Sequence, residues 1–510
     1  MSQKLHQDSI IVLSRNIVWD AVCCWLGFSV GAVSCLPSHV ELYAWTVRIW
    51  QPLILGVLLA LGLPPTVLGF LAPLPLIWLL RRGGFRYGLW AGVGFWAVHL
   101  VWLPQSFVVL FHTPWGAVPY LPLVLIKALM WAGVFGLSVN KPLARVGLWV
   151  LLEYLTSLGE VAFPWGFMGY ALVDAPGRTL ASLGGIYLLS LVVLLVAYFA
   201  GRFGRELYAN PALFSPPGAG LSLTLLVWMS LWLIPLPRPQ GDQHALLVQG
   251  NINPLQKLEG VSAEQTYLDL TRQGLSLHPE ASVVLWPETA VSQFLPQLPP
   301  LLGSRELISG LETGSTNRAV RYVGGQIRET YDKNRLVPFG ENFPWRGALE
   351  PVYSFFFRAF GFGGDLQSRA QGSGYRPLGQ YGAYICYESV FPSVSRNLVL
   401  NGAEVLELGS NDAWYGPSFG GLQHFQMGRI RAVETGRWLL RAGNDGVTAI
   451  VDPYGRVTAR IPQHQAGFLA GSFSFLQGQT LYVRLGDWAV LLAGLLVLFG
   501  LLRKPKSPIV

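Results

Sequence analysis

Charge is what this chain has least of: Asp, Glu, Lys and Arg make up 13% of its 510 residues, against 52% hydrophobic ones. So apolar a chain, with a mean hydropathy of +0.41, cannot be an ordinary soluble or disordered protein, and part of it must face lipid. Cysteine is scarce as well, four in all with no Cys-x-x-Cys, and Cys23, Cys24 and Cys35 lie together in an apolar N-terminal stretch. That excludes a disulfide framework and a cysteine metal cluster. The eight histidines are dispersed, so no metal site and no cofactor is expected. A net charge of +8 collects at the ends of apolar runs and forms no basic patch, which argues against a nucleic-acid partner. Residues 1–16 are polar and lack the charged, apolar and small-residue segments of a signal peptide, so no processing is expected.

What is present begins with long apolar runs near 17–36, 51–64, 65–80, 86–107, 117–138, 145–162, 178–200, 220–236 and 486–502. A helix needs about 20 apolar residues to cross a hydrocarbon core of about 30 Å, and Pro64-Pro65 divides the 51–80 stretch in two. Eight crossings are expected from residue 51 onward. Alternating them places Arg81-Arg82, Lys141 with Arg145, Arg202 with Arg205, and Arg503 with Lys504 and Lys506 on one side. By the positive-inside rule that side is the cytoplasm, and the polar region lies opposite. The run at 17–36, interrupted by Asp20, reads as an extra span or an interfacial helix. Inside the runs His99 and Lys127 read as structural contacts, while Glu153 precedes the aromatic loop Phe163-Pro164-Trp165-Gly166-Phe167-Met168-Gly169-Tyr170 on the outer face.

Hydropathy falls sharply at a Pro-rich hinge, Ile234–Pro239, which divides a membrane domain (1–238) from a polar domain (239–480) followed by a last span (486–502) and a tail (503–510). In the polar part, strand-like runs (Ala245–Gln249, Ser282–Leu285, Gly382–Cys386, Glu404–Leu408, Val447–Val451) alternate with helical patterns (Ala263–Leu277, Gly421–Gly436), and Asp452–Gly455 reads as a hairpin turn. Such alternation predicts an α/β domain with its own core. The four charged residues Arg429, Arg431, Glu434 and Arg437 read as the solvated face of the second helix. Ser354–Gly364, with five phenylalanines between glycines, reads as a lid loop dipping into the bilayer interface.

Cys386 stands alone in the polar half, at the end of a strand-like run and before Glu388-Ser389. A thiol with an ordinary pKa of about 8.5 needs a base and a positive charge to act as a nucleophile near neutrality. Glu288, ending Ser282–Glu288, and Lys333, in Tyr331–Glu341, can fill those roles. Glu288 would take the thiol proton and return it to the leaving group. Lys333 and the Tyr387 N–H would face the developing oxyanion.

The segments Trp286-Pro287-Glu288-Thr289-Ala290, Asp332–Glu341 and Ile385-Cys386-Tyr387-Glu388 resemble the nitrilase, or carbon–nitrogen hydrolase, superfamily. Val248–Ile252, Ser410–Gly416, His424–Met427 and Asn444–Thr448 make the chain similar, more narrowly, to the apolipoprotein N-acyltransferases. The resemblance implies an αββα sandwich on the polar side of a multi-span helical domain. It also implies a catalytic Glu288, Lys333 and Cys386, supporting acids Glu341 and Glu388, a wall residue Tyr387, and pocket residues Asn411, Asp412 and Trp414. The implied enzyme is a multi-pass protein of the bacterial cytoplasmic (inner) membrane with its catalytic domain on the periplasmic face. It takes an acyl chain from a membrane phospholipid onto Cys386 and passes it to a diacylated apolipoprotein. One departure is Leu258 where an entrance tryptophan can stand in the family. Two alternatives stay open: a membrane-tethered amidase acting on small amides, and a non-catalytic membrane protein that uses the domain for binding.

Overall fold

The computed structural model describes residues 37–503 apart from 112, 210, 212–214, 254–262 and 361–367. The run at 17–36, the three N-terminal cysteines and Leu258 lie outside the described residues.

The apolar half forms α1 (Pro37–Leu61), α2 (Pro73–Arg81), α3 (Phe85–His99), α4 (Leu103–Phe111), α5 (Tyr120–Leu137), α6 (Pro142–Leu155), α7 (Ala181–Ala209) and α8 (Pro216–Leu233). Among the described residues, Pro114–Leu137, Pro176–Ala209 and Pro216–Leu233 are each long and apolar enough to cross a membrane. The pair α3 and α4, bent by 58°, makes a fourth. The apolar runs are longer than the helices because the chain breaks inside them. A turn over Leu100–Trp102 interrupts the run at 86–107, and α6 stops at Leu155. A helix of about 15 residues rises about 22 Å, short of a full hydrocarbon core. Small residues let these helices approach: a Cβ on Gly92 of α3 would lie 2.7 Å from the Ala128 Cα of α5. Trp131 fills the same seam against Phe95 and Trp149, with ring centroids 4.8 and 4.5 Å away. Arg145, at the end of an apolar run, is enclosed by the helices around it. It is fully buried and donates to the carbonyls of Leu80 (2.7 Å) and Ser138 (2.8 Å), capping helix ends that have no further turn to bond.

The polar half alternates strands and helices as its sequence pattern implies. The strands are β1 (Gln243–Gln249), β2 (Val283–Leu285), β3 (Glu306–Glu312), β4 (Asn317–Val323), β5 (Gln326–Asp332), β6 (Tyr381–Ile385), β7 (Val405–Ser410), β8 (Leu439–Gly443), β9 (Thr448–Val451), β10 (Val457–Ile461) and β11 (Gly467–Phe473). The helices are α9 (Ala263–Leu277), α10 (Leu298–Leu302), α11 (Arg346–Phe360), α12 (Pro392–Leu400), α13 (Gly420–Thr435) and α14 (Leu481–Leu485), with α15 (Trp488–Leu502) returning to the apolar half. One sheet runs β11-β1-β2-β3-β4-β5 and the other β10-β9-β8-β7-β6. The β1-β2-β3 and β6-β7-β8 steps are parallel, and both faces of these strands are covered, so that even Glu407 of β7 and Arg441 of β8 are buried. Side chains alternate accordingly. Ala245, Leu247, Val283, Leu285 and Ile308 enter the core shared with the second sheet, while Leu246, Val248, Val284 and Leu307 pack on Tyr267 and Leu268 of α9. With α12 and α13 on the far face of the second sheet, the result is an αββα sandwich.

Two expectations are corrected here. Ser354–Phe360 is not a loop but the second half of α11, an amphipathic helix that leaves Phe355 and Phe356 exposed; 361–367 lies outside the described residues. The charged residues of this segment are not solvated: Arg429, Arg431 and Glu434 of α13 are buried where the membrane half closes over that face, and Arg437, just past the helix, is buried on the Ala403 carbonyl at 3.0 Å. Arg431 pairs with Glu434 at 3.1 Å, Glu434 accepts the Ile186 N–H at 2.8 Å beside the Gly184-Gly185 kink of α7, and Arg429 reaches Asp174 at 2.7 Å. Removing one partner of such a pair strands a buried charge, at a cost of about 3–5 kcal/mol. Arg431→Met is therefore expected to lower the thermal midpoint of the detergent-solubilised full chain sharply, and Arg431→Met with Glu434→Leu to recover part of the loss. Equal midpoints for wild type and single variant would contradict this.

Candidate active site

The chemistry-bearing side chains gather where strands end. Glu288 follows β2, Lys333 follows β5, Cys386 follows β6, and Asn411 and Asp412 follow β7. These carboxyl ends converge on one edge of the sandwich, where turns are free to present side chains to a cleft. The Glu288 turn sits tight against β3, since a Cβ on Gly310 would lie 2.7 Å from the Glu288 Cα.

Lys333 is the centre of the cluster. Its ammonium, 1% exposed, donates to Glu288 Oε1 at 3.1 Å and lies 2.9 Å from Glu341 Oε2. Burial works against this charge, and the Glu288 and Glu341 carboxylates outweigh it, so the lysine pKa is raised. Asn317 ties the two acids together, donating at 2.7 Å to Glu288 and 2.9 Å to Glu341. The Asn411 N–H holds the other Glu288 oxygen at 2.9 Å, and the Val337 N–H holds Glu341 at 3.0 Å. Burial pushes Glu341 up, but Lys333 and these donors bring it below its ordinary value.

Cys386 is buried beside this cluster in the left-handed region, at φ +49°. For a residue other than glycine that conformation costs about 1–3 kcal/mol and persists only where its surroundings enforce it. Burial first, and then the Glu288 carboxylate, push the thiol well above its ordinary pKa, while Lys333 pulls it down. The resting sulfur is thus a thiol whose proton has a carboxylate to go to. Glu388 works behind it. One oxygen accepts from the Tyr331 hydroxyl (2.8 Å) and the N–H groups of Asn334 (2.8 Å) and Arg335 (3.2 Å), and the other from the Ile385 N–H (2.8 Å). It thereby joins the lysine loop to the nucleophile's strand; burial raises its pKa to about 7.

The residues after β7 divide. Asp412 is more enclosed than Asn411. It is fully buried on Arg441 (2.6 Å) and His424 (2.9 Å), which hold its carboxyl well below the usual range despite burial. Asn411 braces Glu288 and accepts from Asn444 at 3.1 Å. Trp414 is partly exposed, and the neighbouring Tyr415 carries the ring contacts of this turn, to Trp102 at 5.0 Å and His424 at 5.8 Å. The Tyr387 hydroxyl donates to the Ala162 carbonyl of the membrane half at 2.7 Å. That half meets the catalytic domain again at α13. Gln423 of α13 accepts from the indoles of Trp102 (2.9 Å) and Trp165 (2.7 Å) through one oxygen. Asn317, Trp102, Gln423, His424 and Arg441 were not singled out as site residues from sequence. His424 stood inside a quoted motif, whereas Asn317 and Trp102 carry no local signal.

The ligand atoms of Cys386, Asp412 and His424 lie within 4.8 Å of one another. His424 and Asp412 are already bonded to each other and Asp412 to Arg441, so a cation would have to displace a guanidinium, and the donor set does not suit a metal.

Because a neighbouring carboxylate raises a thiol pKa, removing it must lower that pKa. In Glu288→Gln the pH midpoint for alkylation of Cys386 by iodoacetamide, followed by mass spectrometry, is expected below that of the wild type. An unchanged or higher midpoint would mean the two groups do not interact.

The sequence matches the carbon-nitrogen hydrolase family over residues 317–475 and the apolipoprotein N-acyltransferase N-terminal domain over residues 55–199. An apolipoprotein N-acyltransferase of Azotobacter vinelandii is 34% identical over 504 residues, covering 88% of this chain and 94% of the relative. One from Pseudomonas aeruginosa PAO1 is 35% identical over 399 residues, 72% of this chain and 75% of the relative. Among solved structures, a carbon-nitrogen hydrolase from Helicobacter pylori G27 aligns with 45% of this chain and 88% of its own at 18% identity and a TM-score of 0.32. An amidase from Nesterenkonia sp. aligns with 49% and 95% at 16% identity and a TM-score of 0.33. From the agreement of both halves with relatives that run nearly end to end, the chain belongs to the apolipoprotein N-acyltransferase family.

Proposed function

We propose that this enzyme moves a fatty acyl chain from a membrane phospholipid, through a thioester on Cys386, to the α-amino group of the diacylglyceryl-cysteine at a lipoprotein N-terminus. The observation that carries this reading is the makeup of the site: a buried Glu288–Lys333–Glu341 cluster stands beside the thiol, and the turns around it are fastened to the membrane half, Tyr387 through the Ala162 carbonyl at 2.7 Å and Tyr415 through the Trp102 ring at 5.0 Å. A site that acts on small soluble amides has no use for such an attachment.

In the first half-reaction Glu288 takes the Cys386 proton as the sulfur attacks the ester carbonyl. The negative charge that develops on the carbonyl oxygen faces the Lys333 ammonium and the Tyr387 N–H. The carbon–oxygen bond then breaks, and Glu288 returns the proton to the leaving lysophospholipid. In the second, the lipoprotein amine attacks the thioester carbonyl, Glu288 accepts the amine proton, and the thiolate leaves to be reprotonated as the amide forms. Glu341 and Glu388 hold the ammonium and the strand end in place, and Asn411 orients Glu288. Asp412 acts from behind the pocket, Trp414 at its edge.

The basic residues at alternate apolar-run ends support a multi-pass protein of the bacterial inner membrane with the 239–480 domain on the periplasmic face. The 1–238 region and the 486–502 helix then anchor that domain, and 503–510 is cytoplasmic. The Trp345 N–H that precedes α11 is held by Glu160 of the membrane half at 2.9 Å. This supports α11 lying at the bilayer surface with Phe355 and Phe356 in the interface, where it can admit a two-chain lipid.

Purified wild type incubated with phospholipid and no acceptor is expected to carry a long-chain acyl adduct on Cys386 by mass spectrometry. Cys386→Ser is expected to stay folded and lose turnover to a synthetic diacylated lipopeptide. No adduct on the wild type, or ammonia release from simple amides without lipid, would overturn the reading.

A further inference from the structure

His424 lies fully buried on α13, outside the acids and lysine assigned to the chemistry, yet it touches the nucleophile's own peptide. Its Nε2 is 3.0 Å from the Cys386 carbonyl oxygen and 2.8 Å from the Ser389 hydroxyl, and its Nδ1 is 2.9 Å from Asp412 Oδ1. A carbonyl can only accept, so in a hydrogen bond between these two groups Nε2 is the donor. Asp412 is fixed in turn by Arg441 at 2.6 Å and by the Ser410 hydroxyl at 2.6 Å. The ring therefore cannot rotate without leaving buried partners unmatched.

Holding that carbonyl has a consequence one bond away. The peptide linking Cys386 to Tyr387 is planar and trans, so its C=O and N–H point in opposite directions. Pulling the carbonyl into the domain interior sends the Tyr387 N–H outward. The first turn of the short helix Cys386–Val390 has no intrahelical acceptor for this N–H. We infer that His424 is a positioning residue: by gripping the Cys386 carbonyl through a ring locked on Asp412, it aims the Tyr387 N–H at the acyl oxygen on which charge develops. The same grip holds Cys386 in its left-handed conformation. This role rests on the thioester reading above and deepens it.

The test separates a reaction that builds an oxyanion from one that does not. Thioester formation from phospholipid passes through a tetrahedral oxyanion, whereas alkylation of the same sulfur by iodoacetamide is a displacement at saturated carbon and makes none. Loss of one oxyanion donor typically costs about 10²–10³ in rate, so in the detergent-solubilised full chain His424→Phe is expected to slow acyl-Cys386 formation about 100-fold and to alter alkylation by less than about threefold. His424→Gln, whose amide N–H reaches to the Nε2 position, is expected to recover most of the rate. His424→Asn, one methylene shorter, is expected to stay slow. If His424→Phe does not fold, the contrast between Gln and Asn decides. Parallel loss of acylation and alkylation, or equal acylation rates in the Gln and Asn variants, would overturn the positioning role. A wild type that forms no adduct at all would instead remove the thioester reading beneath it.

Discussion

One buried ammonium organises this protein. Lys333, 1% exposed, sits between two carboxylates whose attraction outweighs the cost of burying its charge. The arrangement fixes the lysine loop to the ends of β2 and β5, and it leaves Glu288 with one oxygen on the ammonium and the other on the Asn411 N–H. A carboxylate pinned in this way stands ready beside the thiol without side-chain reorganisation. The sulfur, in turn, rests protonated, because burial and that same carboxylate disfavour its charge.

The second constraint is the join between the halves. α13 carries the contacts in sequence along its length: Gln423 on the indoles of Trp102 and Trp165, His424 on the nucleophile's peptide, Arg429 on Asp174, and Glu434 on the kink of α7. A single helix thus references the membrane half and the reactive cysteine to the same rigid body. Local precision of this sort is what a carbonyl delivered from a bilayer requires, since a misplacement of about 1 Å can cost about 100-fold in rate.

How much of this could be read in the chain depends on the range of each interaction. Cys386 and Glu288 stood out because each ends a strand-like run in the polar half, Lys333 because it lies in Tyr331–Glu341 before a turn, and each needs the others chemically. The helix Ala263–Leu277 and the turn at Asp452–Gly455 follow from local periodicity and turn chemistry and are found at those places. The buried charges of α13 were not legible: their i, i+3 spacing is that of a solvated face, and only the distant membrane half encloses them. α11 was masked by its run of phenylalanines, Pro351 and the glycines beyond it, which read as a loop. Apolar runs also overstate helix length, because hydropathy does not register the turn at Leu100–Trp102 or the end of α6. Asn317 and His424 bind partners that are 12 to 38 residues away, which no local pattern encodes.

The central claim is that Cys386 carries the acyl chain on the way to an amine. A pulse of phospholipid with a labelled acyl chain, in the absence of acceptor, followed by a chase with unlabelled phospholipid and diacylated lipopeptide, tests it most directly. The account predicts that label leaves Cys386 and appears as amide on the lipopeptide at a rate no slower than steady-state turnover. Label that stays on the cysteine while lipopeptide is acylated, or that leaves as free fatty acid, would contradict it.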